Sequence, residues 1–456
     1  MGDSVSTAPR TRREQDSLGP MEVPVNALYG AQTARAVENF PISGITLEQF
    51  PPLIRALAQV KQAAARANAA LGRMTQAKAD VISKVCDEII AGHHHRHFPV
   101  DVLQGGAGTS SNMNVNEVIA NRGLELMGLP CGSYEHLHPN DDVNRAQSTN
   151  DVYPTAVRIA LMTAVPLLMS ALEDLADAYD RKGDAFEGIR KLGRTELQDA
   201  VPMTLGAEMR AYGHTLREDV ARLQAAIGLL SEVNLGGTAI GTRVAATPEF
   251  QSLALAELRR ITGLALTPSS DLIEASWDVG VFVHLSGNFK RLATKLSKMA
   301  SDLRLLSSGP RGGLGEISLP PMQPGSSLMP GKANPVIPEM VNQVAFQVIG
   351  IDVSITCAAE GGQLQLNPFE PLIAYGLLHA VQLLRNAVET LRLRCVEGIE
   401  ARPARCAAHL SASTANFAAL VPEIGYDNAS ALARDMMESG EDWDAFAKRR
   451  GLPTRG

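Results

Sequence analysis

Between Thr155 and about Glu397 the chain is a succession of long apolar runs: Thr155–Tyr179, Glu208–Leu230, Trp277–Leu306, Pro335–Ala359 and Pro368–Glu397. Several exceed 20 residues, well beyond the mean helix of about 11–12. Their apolar residues cover most of each circumference, the pattern of helices packed inside a bundle or between subunits. Few runs look like strands, so the expected class is all-α. Only 4% of the residues are aromatic, so the core must be aliphatic, built from Leu, Ala, Val, Ile and the 15 Met.

Composition suggests three domains. Residues 1–150 mix short elements with long polar stretches and read as a mixed, mainly helical N-terminal domain. Residues 151–397 form the central helical bundle. Residues 398–456 form a small, more polar helical domain that opens at Pro403 and closes with Arg449 and Arg450. The length of 456 residues agrees with roughly three domains at about 150 residues each.

The balance of 42 Lys+Arg against 49 Asp+Glu gives a net charge of −7, which disfavours nucleic acid as a partner. The 45% apolar content rules out disorder. Five scattered cysteines without a Cys-x-x-Cys, namely Cys86, Cys131, Cys357, Cys395 and Cys406, read as reduced thiols rather than a disulfide framework. The polar N-terminal segment lacks the apolar run of a signal peptide. The most apolar stretch, Ile159–Leu172, is followed at once by Glu173 and Asp174 and is shorter than the roughly 20 residues of a membrane span. A cytoplasmic protein with no membrane partner is expected.

Three polar segments interrupt the helical background: Gly105–Arg122 (GGAGTSSNMNVNEVIANR), His138–Thr155 (HPNDDVNRAQSTNDVYPT) and Gly309–Glu339, which ends GSSLMPGKANPVIPE. Each alone could be ordinary turns and caps. Three in one long-helix protein point to function, because long loops are uncommon and often functional. Ser, Thr and Asn donors with one Lys suit a small dianionic substrate without burying a full countercharge. The chain has no dinucleotide fingerprint, no phosphate-binding P-loop, no His-Glu-x-x-His and no Gly-x-Ser-x-Gly elbow. Proton and group transfer on a small acid remains. His93, His94, His95 and His97 invite a metal reading, with His93 and His97 spaced to share a helix face. No nearby carboxylate or thiolate is read as completing a set, Pro99 caps the stretch, and a polar helix end is the simpler reading.

The string GSSLMPGKANP closely resembles the signature loop of the aspartase/fumarase superfamily. AGTSSNMNVNEVIANR and HPNDDVNRAQSTNDVYPTA are similar to its two other active-site segments, and GRTELQDAVPMTLGAEMRAY and NLGGTAIGT match two more. The likeness runs from about Arg12 to Asp427. It implies a homotetramer whose central bundles form a 20-helix core, with each active site assembled from loops of three subunits. QSTNDVYPTAVRIA and AAEGGQLQLNPFEP lean toward the aspartase branch. The resemblance therefore implies reversible elimination of ammonia or another amine from L-aspartate or an aspartate-like substrate, giving fumarate; that chemistry requires no cofactor, since the carboxylate acidifies the proton, and no ligand cluster argues for a metal. The rival readings are a fumarase-type hydratase acting on malate, a lyase for an N-substituted aspartate, and a non-catalytic scaffold.

By the same resemblance Ser326 is the general base. A serine alkoxide is demanding at neutral pH, so Lys332 and the loop's backbone amides are expected to stabilise it. Thr109, Ser148, Thr149 and Ser327 match the donors to the carboxylate that becomes an enediolate-like dianion. Lys332 and Asn334, assisted by Thr195, match those that hold the other carboxylate, and Asn150 matches the residue beside the amino group. Two positions depart from the family pattern. Glu196 stands where the family usually has His or Gln beside the leaving group, and Glu339 resembles the carboxylate that normally supports that His. The two acids would then disfavour each other's ionisation. Arg243 stands where the family usually has Gly.

Overall fold

Each of the five long runs is one helix in the computed structural model, which describes residues 10–453. The start of the polar N-terminal segment and the last three residues of the short tail after Gly451 lie outside the described residues. The described chain opens with an antiparallel hairpin, β1 (Thr11–Asp16) and β2 (Gly19–Pro24), in the register Thr11↔Pro24 to Asp16↔Gly19. Helices α1 (Ala31–Asn39), α2 (Pro51–Ala70), α3 (Gln76–Ile90) and α4 (Thr109–Leu126) follow, and then α5 (Thr149–Ala185). A second hairpin, β3 (Arg190–Thr195) and β4 (Gln198–Thr204), leads into α6 (Leu205–Gly228). The two-residue strands β5 (Glu232–Val233) and β6 (Thr267–Pro268) pair in parallel on either side of α7 (Pro248–Thr262). Next come α8 (Gly280–Leu306), β7 (Ile317–Ser318), α9 (Val336–Glu360) and α10 (Glu370–Arg394). Strand β8 (Glu400–Ala401) pairs antiparallel with β7 and precedes α11 (Pro403–Ser411), α12 (Phe417–Ile424), α13 (Tyr426–Ser439) and α14 (Trp443–Arg450). The tail opens at Pro403 as expected, proline being at ease in a helix's first turn.

Two compact units emerge. Among the described residues, one holds those up to Leu167 with Leu223–Phe289 and Gly350–Gln382, and the other holds Leu168–Arg222, Lys290–Ile349 and those from Leu383 on. Helices α5, α6, α8, α9 and α10 each supply residues to both. In the first unit α2 packs on α3 and α7, and its buried residues are Leu, Ile, Val and Ala apart from Lys61, Gln62 and Asn68. The N-terminus of α1 lacks a cap of its own, because Gly30 has no side chain. Glu117 of α4 replaces it: the buried carboxylate accepts from the N–H groups of Gly30, Gln32 and Thr33 at 2.8–3.1 Å. Gly30 is required there, since a Cβ would lie 2.4 Å from Glu14 Oε2. In the second unit the tail has an aromatic core, in which Phe417 meets Trp443 edge-on with centroids 5.0 Å apart.

Two expectations are corrected. The segment Gly105–Arg122 is not a loop: from Thr109 onward it is α4, and most of it is buried. Asparagine usually prefers turns because its side chain competes for the backbone. Here the side chains are engaged elsewhere, Asn114 Nδ2 donating to His97 O and Asn121 Nδ2 to Leu28 O, each at 2.9 Å. Ile159–Leu172 lies within the 37-residue α5, so α5 and α9 are both long and apolar enough to cross a membrane. In α5, 67% of the most apolar window is buried within the chain, as in a core helix, but in α9 only 33% is. Phe346 and Val353 of α9 are 62% and 59% exposed.

Candidate active site

In the first unit the STND string, Ser148–Asp151, begins α5 as a reciprocal cap. Ser148 Oγ accepts from Asn150 N at 3.3 Å, and Ser148 N donates to Asp151 Oδ1 at 2.9 Å. The other oxygen of Asp151 accepts from Gly236 N and Thr238 N, both at 2.9 Å, which pins the NLGGTAIGT segment to the same helix end. Burial pushes the Asp151 carboxyl up to about 6, against the pull of those amides and of Lys61. Asn150 Nδ2 donates to Ala239 O at 2.7 Å, leaving its acceptor oxygen uncommitted. That is the end of an amide that suits an ammonium.

Thr149 is buried, and its Oγ1 accepts from Asn112 Nδ2 at 3.1 Å, so its proton remains free to donate. Behind it Asn144 Oδ1 gathers Asn112 and Asn116 at 3.2 and 3.3 Å and Lys61 Nζ at 2.8 Å. The same Nζ reaches Gln147 Oε1 at 3.0 Å. Lys61 is fully buried, and desolvation brings its ammonium down to about 7, with Asp151 opposing. Thr109 is the exposed first residue of α4, at the end where the helix dipole favours anions. Gly108 before it has φ +90°, and a Cβ there would lie 2.5 Å from the Tyr153 ring.

In the second unit Ser326 sits in a loop bonded chiefly to itself. Its Oγ accepts from the N–H groups of Leu328 and Met329, each at 3.0 Å. Two amide donors aimed at one hydroxyl oxygen favour the charged form of that oxygen over the neutral one. The loop is closed by Gly325 N to Lys332 O at 2.8 Å and by Asn334 Nδ2 to Gly325 O at 2.9 Å. Gly325 is thus needed for close approach rather than for freedom, since a Cβ would lie 2.5 Å from Lys332 O. Ser327 and Lys332 are exposed, and Leu328 is 85% exposed. A concavity of about 490 Å³ is lined by Pro324, Ser326, Met329 and Lys332. Asn334 and Pro335 immediately precede Val336, the first residue of α9, so the pair also leads into that helix.

Thr195 and Gln198 flank the two-residue turn of the β3–β4 hairpin. Both turn residues, Glu196 at φ +53° and Leu197 at φ +62°, are left-handed without being glycine, a conformation that costs roughly 1–2 kcal/mol per residue. Thr195 and Glu196 are exposed, and among the described residues neither the Glu196 nor the Glu339 side chain has a hydrogen-bond or ion-pair partner. Arg243, in the first unit, has φ +59°, which explains why glycine is usual there. Its Nη2 donates to Gln251 Oε1 at 2.9 Å.

The histidines do not share a helix face. α3 ends at Ile90, His94 is left-handed, and His95–His97 form a 3₁₀ turn. A carboxylate does come near, since His94 Nε2 lies 2.8 Å from Glu88 Oε2, while His97 Nδ1 accepts from Leu28 N. Burial brings the His97 ring down to about 4. Among the described residues no group of three His, Cys, Asp or Glu side chains could hold a metal ion. All five cysteines are free, with Cys86, Cys395 and Cys406 buried and Cys357 exposed.

Sequence reasoning missed Lys61, Asp151, Asn112 and Asn234, the last of which donates from Nδ2 to Asn150 O at 3.0 Å. The Ser-x-x-Asp spacing could have revealed Asp151, and a lone lysine in the Ala-rich LAQVKQAAA of α2 could have revealed Lys61.

A family profile described as "Lyase" matches residues 19–350. The aspartate ammonia-lyase of Pseudomonas canavaninivorans is 54% identical over 449 residues, 98% of this chain and 95% of that protein. The crystal structure of fumarate lyase:delta crystallin from Brucella melitensis bound to cobalt matches with a TM-score of 0.95 at 55% identity, covering 97% of this chain and 96% of that one. Recombinant class II fumarase from Schistosoma mansoni matches with a TM-score of 0.92 at 34% identity, again over 97% and 96%.

Proposed function

Because the chain belongs to the aspartase/fumarase superfamily of lyases, we propose that it eliminates ammonia from L-aspartate to give fumarate. The observation that carries this reading is the 54% identity to an aspartate ammonia-lyase along nearly the whole chain, against 34% to a fumarase. Ser326, as an alkoxide, takes the proton from the carbon next to the one that bears nitrogen. The electron pair passes into the adjacent carboxylate as an enediolate-like dianion, then forms the double bond as the C–N bond breaks and nitrogen leaves with its pair. Thr109, Ser148, Thr149 and Ser327 donate to the oxygens where charge develops. Lys332, Asn334 and Thr195 hold the other carboxylate, and the free oxygen of Asn150 receives the ammonium. The step uses protein groups alone.

Glu196 faces the amine in this reading and favours a cationic leaving group over a hydroxyl, which keeps an N-substituted aspartate as the second reading. Running the reaction backward separates the two. Fumarate incubated with ammonium and a panel of amines, with products read by mass, gives aspartate alone if ammonia is the natural partner, and a preferred adduct if it is not. Glu196→Gln is expected to change the relative rates on aspartate and N-substituted aspartates. Unchanged relative rates would reduce Glu196 to a tolerated variant.

The working form is proposed to be a soluble cytoplasmic homotetramer, without nucleic-acid or membrane partners, whose sites combine loops of three subunits. Support comes from the exposed apolar residues of α9, Phe346 and Val353, since burying such a side chain contributes about 1.5–3 kcal/mol. Sedimentation analysis tests the assembly, and a monomer at working concentration would contradict it.

A further inference from the structure

The second unit holds a charged cluster that the elimination chemistry leaves unused. Glu316 is fully buried, immediately before β7, and its carboxylate draws groups from two elements. Lys191 and Arg194 of β3 reach it at 3.0 and 2.8 Å, and His409 Nδ1 of α11 donates to it at 2.8 Å. Lys191, itself 2% exposed, also pairs with Glu208 of α6 at 2.6 Å. The backbone around Glu316 is equally committed: its carbonyl accepts from Arg402 N, and Arg405 donates to Leu314 O and Gly313 O, all at 2.9 Å.

Such a cluster is a poor way to stabilise a fold, because desolvating the ions offsets most of their attraction. It is a good way to fix geometry, because charge-assisted bonds from several directions hold one carboxylate in one place. What is held is informative. Arg194 is adjacent to Thr195 and two residues from Glu196. β7 leads into the loop that carries Ser326, ten residues beyond Glu316.

We propose that Glu316 is a positioning residue, fixing the hairpin of Thr195 and Glu196 to the root of the Ser326 loop, with His409 as the tie from the C-terminal segment. It touches no substrate and acts through Arg194 and β7. The kinetic consequence rests on the elimination reading, whereas the structural one does not.

The test has two arms, both on the full-length protein. In the first, hydrogen–deuterium exchange is compared between wild type and Glu316→Gln. Amides of 190–204 and 319–335 are expected to exchange together about tenfold faster, with α2 and α3 unchanged. If Glu316→Gln fails to fold, His409→Ala, whose side chain is partly exposed, serves in its place with the same expectation. Exchange at wild-type rates in both segments, or acceleration throughout the chain, overturns the proposal.

In the second arm, His409→Ala is expected to raise the KM for aspartate about tenfold while kcat falls less, since the displaced hairpin bears binding groups. His409→Asn, whose amide can donate as the ring does, is expected to restore KM. A lowered melting temperature with unmoved KM means a merely structural role and also overturns the proposal. If wild type does not turn over aspartate, the elimination reading fails, and the exchange arm still decides this one.

Discussion

The two serine-bearing strings of the candidate site are built in opposite ways. Ser148–Asp151 is locked: its backbone, the Asp151 carboxylate and the donor end of Asn150 are bonded to the chain, with buried Lys61 behind it. The Ser326 loop bonds mainly to itself and exposes Leu328, Met329 and Lys332. The contrast matches the two proposed tasks. Donors that meet developing charge work best when already in place, because no reorganisation is then needed in the transition state. A base that must be sealed from water is better carried on a segment that can close.

The sharpest test of the contrast is Ser326→Ala, expected to lower kcat by about 10²–10⁴-fold, the usual range for a general base, with little change in KM. Steady-state kinetics on aspartate checks it, and a loss under tenfold would remove Ser326 from the base role. Thr149→Val comes next, with an expected loss of about 10²–10³-fold in kcat for one missing donor in the rigid half. A KM effect alone would mean that the donor serves the ground state only.

Lys61 offers a subtler probe of the locked half. Burial brings its ammonium down to about 7, well below the ordinary lysine value of about 10.4. From about pH 7 to 10 the unfolded chain therefore binds more protons, so stability rises with pH across that window. Lys61→Met is expected to flatten that rise, read as melting temperature against pH, and an unaltered slope would show that Lys61 is not the group responsible. Smallest is Arg243→Gly. It relieves about 1 kcal/mol of left-handed strain and loses a hydrogen bond worth about 0.5–1.5 kcal/mol. A near-unchanged melting temperature is expected, and a large drop would show that the Arg243–Gln251 bond matters more than its geometry suggests.

Much of the scaffold was legible because long apolar runs leave little choice of structure. The run read as Pro335–Ala359 is the helix Val336–Glu360, and Trp277–Leu306 is Gly280–Leu306. The polar segments were harder to read. Asn112, Asn114, Asn116 and Asn121 look like loop residues in sequence, yet they are buried on α4, where tertiary hydrogen bonds override local preference. Motif strings named the candidate site residues, but not what holds them. Lys61 lies 83 residues from Asn144, and Glu316 lies 93 from His409. Such pairings depend on how the helices stack, which no local pattern reveals.

The elimination itself is tested most directly by following fumarate through its ultraviolet absorbance, with L-aspartate and then L-malate as sole substrate. Rapid release from aspartate and none from malate is the expected result. Release from malate in preference to aspartate would contradict the assignment as a carbon–nitrogen lyase.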